Sequence, residues 1–171
     1  MAANYSDLMP GASLTWKDSG GTKVLSLNGL TSTSNRQGDK SGTLVDGSYG
    51  FPEVLQIDLL IQFNTSPTAG NQVNLYLGWS GSATAGSDNS GNLGGADAAL
   101  TDANQVNQLT FAGSLVAVAN NSTNQQVTLM VRPLRQYVMP VIDNQSGVTL
   151  KASANVSVVT ITPWYRRTPI A

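Results

Sequence analysis

The stretch Glu53 to Phe63 reads EVLQIDLLIQF, and its Leu55, Ile57, Leu59, Ile61 and Phe63 fall on every second position. Successive side chains of a strand point to opposite faces, so this segment predicts a strand with one wholly apolar face. The other face carries Val54, Gln56, Asp58, Leu60 and Gln62, a mixed and wetter set. A helix would scatter both sets around its axis. Neighbouring segments repeat the pattern. Val73, Leu75, Leu77 and Trp79 alternate with Asn74, Tyr76 and Gly78, which predicts a second strand placed antiparallel beside the first.

Further strands are expected at Leu109 to Val118, Gln125 to Arg132 and Tyr137 to Ile142, with one or two more between Val148 and Thr162. In the second of these Val127, Leu129 and Val131 point one way, and Thr128, Met130 and Arg132 the other. Pro133 ends it, because proline cannot donate to a ladder, and Pro140 marks its own strand as an edge or a bulge. Near the start, Ser13 to Trp16 and Thr22 to Asn28 read as short strands, and Asn28-Gly29 suits a tight turn, so a hairpin is expected there.

The connections are polar. Thr31 to Gly50, with Arg36, Asp39 and Lys40, reads as a solvated surface loop, with contact to a partner subunit as the alternative. Ser80 to Gly95 is a long glycine-rich loop, and Ala96 to Val106 suits one short helix or a turn across the sheet. In all, eight to nine strands predict an all-β fold, an antiparallel sandwich of jelly-roll kind, because sheets with one apolar face need a second layer to cover it. The expected organisation is an N-terminal arm over 1–12, the sandwich over 13–162 and a C-terminal docking tail over 163–171.

Composition narrows the chemistry. The chain has 171 residues, no Cys and no His. Serine–histidine triads, cysteine nucleophiles, disulfides and thiolate or imidazole metal sites are thereby excluded. Glu53 is the only glutamate, and most aspartates stand in turn-like stretches where local hydrogen bonding favours them, so no catalytic carboxylate pair is expected. Asp88, Ser90 and Asn92 faintly echo a calcium loop, yet the glycine is misplaced and no bidentate Glu follows; neither a metal nor another cofactor is expected.

Only 11% of residues are charged, against roughly 25% in ordinary soluble domains, and the formal net charge is −1. Such a balance neither attracts nucleic acid nor holds copies apart by repulsion. The start, MAANYSDLMPGASLTW, has neither a basic region nor an apolar run, and no segment approaches the length of a membrane-spanning helix, so no membrane association is expected.

The strongest interaction signal is the tail, where Trp164 and Tyr165 stand beside Arg166 and Arg167. Aromatic residues and arginine are enriched at interface anchors. With Tyr5 and Met9 of the arm they form the candidate interface set. Trp16, Trp79 and Trp164 also raise the alternative of a sugar-stacking platform in a carbohydrate-binding or host-attachment module.

The segments NLYLGWSGSATAGSDNSGNLGGADAAL and RQYVMPVIDNQSGVTL, set in an Asn/Ser/Gly/Thr-rich sandwich without Cys or His, resemble small structural proteins of tailed bacteriophages. The resemblance covers roughly residues 53 to 162. It implies a head decoration or cement protein, often a homotrimer, that sits on the capsid surface, binds the major capsid protein lattice and stabilises the shell without turnover.

Overall fold

The computed structural model describes residues 7–166, and within them two sheets pack face to face. In chain order the strands are β1 (Leu8–Pro10), β2 (Leu14–Lys17), β3 (Lys23–Val24), β4 (Ser34–Gln37), β5 (Val54–Ile61), β6 (Gln72–Ser80), β7 (Ala98–Ala99), β8 (Thr110–Val116), β9 (Gln125–Val131), β10 (Tyr137–Gln145) and β11 (Val158–Arg166). The first sheet runs β3-β2-β11-β5-β9, with β1 continuing the β2 side of β11; the second runs β7-β4-β10-β6-β8. Every pairing is antiparallel except that of β2 with β3. The expected all-β antiparallel sandwich is what forms.

The organising strand behaves as its alternation requires. Leu55, Ile57, Leu59, Ile61 and Phe63 are fully buried, facing Val73, Leu75, Leu77, Val138 and Ile142 of the other sheet. Each such side chain contributes roughly 1.5–3 kcal/mol by leaving water. β5 and β6 are not neighbours, however. β5 pairs with β11 and β9, and β6 with β10 and β8, so the two apolar rows meet across the sandwich and not side by side. Alternation fixes which face is buried; it leaves the choice of neighbour open.

Other expectations are corrected in the same way. The segment after β2 forms no hairpin: Trp16 and Lys17 pair in parallel with Lys23 and Val24, and Leu25 and Leu27 drop into the core. Between 148 and 162 only β11 is a strand, while Leu150 bridges Phe63 from a loop. Pro140 lies in β10, the central strand of the second sheet, which is paired on both sides. Its missing N–H falls opposite Gly38, just past the end of β4, where its carbonyl still accepts from the Gly38 amide at 2.8 Å.

The two sheets differ on their outer faces. Leu93, Met139 and Val141 form a second small core with Tyr76, Leu100, Val106 and Leu109, so the segment 90–109 roofs the outer face of the second sheet. Two 3₁₀ turns shape that roof, Ser90–Asn92 and Ala103–Gln108. The latter opens with a capping box between Asp102 and Gln105; of the stretch Ala96 to Val106, expected as a short helix or a turn, only the part from Ala103 is helical, while Ala98–Ala99 form β7. No described segment roofs the outer face of the first sheet.

Candidate functional site

The outer face of the first sheet collects side chains from three long strands. Register places Trp164 between Val54 and Pro10, Gln56 between Thr162 and Met130, Asp58 between Thr160 and Thr128, and Leu60 between Val158 and Gln126. Asp58 is held within the chain, accepting from Thr128 Oγ1 at 2.5 Å and from Gln56 Nε2 at 3.1 Å. A shallow hollow of about 270 Å³ lies among Asp58, Leu60, Gln126, Val158 and Thr160. This broad, weakly charged, part-apolar surface can make contact.

The predicted interface residues are divided by it. Pro163 to Arg166 are the last residues of β11 and not the start of a free tail, and Leu8–Pro10 pair with them. The expected boundary at residue 163 therefore falls inside a strand. Trp164 and Arg166 point to the outer face, Arg166 reaching Glu53 at 3.3 Å. Trp164 Nε1 is buried with no hydrogen-bond partner among the described residues. Tyr165 points inward, 6% exposed, and donates its hydroxyl to the Leu44 carbonyl at 2.8 Å, while Met9, opposite it in register, is half-buried. Burial also raises the Tyr165 phenol above its ordinary value. Tyr5 and Arg167 lie outside the described residues.

A cleft of about 340 Å³ opens beside Trp79, lined also by Asp88, Ser90, Gln108, Leu134 and Arg135. Trp79 is only 4% exposed and spends its indole N–H on Thr110 Oγ1 at 2.9 Å; Trp16 is fully buried. These two tryptophans are core side chains, so neither offers a free ring for sugar stacking. Asp88 pairs with Arg135 at 2.7 Å, and that bond, with the Gly81 amide, holds its carboxyl below the ordinary range. A carboxylate kept ionised by its own partner is a poor proton donor.

Lys40 corrects the solvated-loop reading of 31–50. Its residue is 6% exposed, and its ammonium donates to Ser80 Oγ at 3.1 Å and to the carbonyls of Ser82, Thr84 and Ser87 at 3.0, 2.7 and 3.3 Å. Burial lowers its pKa, opposed by the charge of Asp88. The long loop after β6 is thus wrapped around a cation supplied by the chain. Arg36 is likewise engaged, in an ion pair with Asp97. Nothing in the local sequence distinguishes these two cations from solvated ones, since their partners stand 40 or more positions away.

Among the described residues no three Asp or Glu side chains gather as a metal site, and no helix is long and apolar enough to cross a membrane. No protein-family model matches the chain, and no curated protein matches its sequence.

Proposed function

We propose that the chain is a structural virion protein, a decoration or cement protein that binds the major capsid protein lattice at the capsid surface. The observation that carries this reading is the strand order. Leaving aside β1 and the two-residue β3 and β7, eight strands remain. In one sheet the first of them pairs with the eighth, the eighth with the third and the third with the sixth; in the other the order is second, seventh, fourth, fifth. That order supports a jelly roll, an architecture used by viral capsid domains and by lectins.

Two features favour the capsid use over the lectin use. Two of the three tryptophans that could stack on a sugar, Trp16 and Trp79, are buried, which leaves Trp164 without a second ring, and the open outer face of the first sheet is broad and nearly neutral, suited to lying across protein. The phage assignment itself rests on the resemblance of residues 74–100 and 135–150. A protein of this kind stabilises a shell by binding the assembled lattice and not its free subunits, which shifts the equilibrium toward the lattice by mass action.

The test is addition of the purified chain to expanded phage capsids. The expected result is co-sedimentation with the capsids and a higher temperature for their disruption. Failure to bind expanded capsids, with binding to a glycan instead, would overturn the proposal.

A further inference from the structure

The two sides of the sandwich end differently. On one side the outermost strands, β3 and β7, have two residues each. On the other, β8 and β9 have seven residues each. The outermost strand of a sheet leaves a row of N–H and C=O groups without a strand partner, and natural sheets guard long edges with charges, proline, bulges or short length. β3 and β7 are guarded by brevity, and β8 by the bulge where it meets Leu75 and Tyr76. β9, QQVTLMV, has none of these devices, and no charged residue stands between Asp102 and Arg132. Exposed apolar side chains mark the same side: Phe111 and Val116 on β8, Val118 just after it, and Met130 on β9.

We infer that this side is the seam of a homodimer, in which β9 pairs antiparallel with β9 of a second copy about a two-fold axis while β8 lies against its own copy. Geometry selects a second copy over a single extended peptide. Two packed sheets stand ~10 Å apart, so the seam presents two edges at once, and one peptide can cover only one of them. A two-fold axis running through both sheets carries β9 onto β9 and β8 onto β8 together, so a second copy has its edges at the matching spacing. Neutrality permits the pairing. With the axis at Thr128, threonine meets threonine and Gln126 meets Met130, so no like charges come opposite each other. A groove of about 470 Å³ between the edges, lined by Ser114, Val116, Val118, Gln125 and Val127, opens on this side and would be closed by the second copy.

A two-fold seam gives a dimer where the phage resemblance implies a trimer, and light scattering over a concentration series separates them. The expected mass is twice the 17.9 kDa of the chain. Thr128→Lys places like charges opposite each other at the axis and moves the mass to that of the monomer, with the circular dichroism of the sandwich retained. Hydrogen exchange adds a second readout: β9 amides are protected in the wild type and exchange faster in the variant, while β5 amides stay protected. Should Thr128→Lys fail to fold, the double substitution Gln126→Lys with Met130→Lys, at two exposed positions that meet across the axis, serves in its place. A monomer throughout the series, a trimer, or a dimer that survives the folded variant overturns the inference. No capsid takes part, so failure here leaves the decoration proposal standing, and failure of capsid binding leaves the seam standing.

Discussion

Arg36 and Asp97, far apart in sequence, meet fork to fork: Nε donates to Oδ1 at 2.7 Å and Nη2 to Oδ2 at 2.6 Å. Asp97 also accepts from the amide and hydroxyl of Ser26, and its own amide donates to Asp39 Oδ1. One carboxylate thereby ties the segment after β3 and the strand β4 to the approach of β7. Arg36→Ala removes the cation and leaves Asp97, whose side chain is 12% exposed, as a half-answered buried charge. The expected loss is about 2 kcal/mol, read by chemical denaturation.

The same pair sets an acid limit. Burial pushes the Asp97 carboxyl up, but the bonds from Arg36 and Ser26 together outweigh it, and the net shift is downward. A carboxyl held lower in the folded chain than in the unfolded one contributes stability that is complete above the unfolded value, about 3.9, and is lost as the pH falls through the folded value. The melting temperature of the wild type should therefore exceed that of Asp97→Asn at neutral pH, and the gap should shrink below about pH 4. A gap that stays constant on acidification would count against this account.

What the sequence made legible follows from the range of the forces involved. Alternation is local, so the buried row from Leu55 to Phe63 and the inward row of β9 could be read directly. Asp102 and Gln105 stand three apart, and the capping box they form is a local signal of the same kind, though the alanines of Ala96 to Val106 pointed only to a short helix or a turn. Lys40 and Arg36 were not, because a cation looks solvated until a distant loop closes around it. Tyr165 failed for a related reason: its strand is recognised only once Leu8–Pro10 and Val54 are seen flanking it. Of the candidate interface residues, Trp164 and Arg166 face outward and Tyr165 is committed to the interior.

The Lys40 cage gives a test of loop order. Lys40→Met keeps the length and apolar stem of the side chain but leaves the carbonyls of Ser82, Thr84 and Ser87 without their shared donor. An unanswered buried acceptor costs about 1–3 kcal/mol, so the loop should open to water. Limited proteolysis should cut the variant within 81–88 and spare the wild type, with a lower melting temperature in the same preparation. Equal resistance of the two proteins would show that the cage is incidental to the loop.

Trp164 and Tyr165 are adjacent in β11 and point to opposite faces, which lets stability and docking be separated by single substitutions. Tyr165→Phe deletes only the hydroxyl bonded to the Leu44 carbonyl, and the loss of one buried hydrogen bond should lower stability by about 1 kcal/mol. It should leave capsid binding intact, since the side chain contributes nothing to the outer face. Trp164→Ala removes an aromatic anchor from that face, where the flanking Pro10 and Val54 keep the strand in place. Capsid binding should then weaken by about tenfold or more, as for a central interface aromatic, with a smaller change in melting temperature than a core truncation brings. The opposite pattern, docking lost with Tyr165→Phe and kept with Trp164→Ala, would place the contact surface elsewhere than on the outer face of the first sheet.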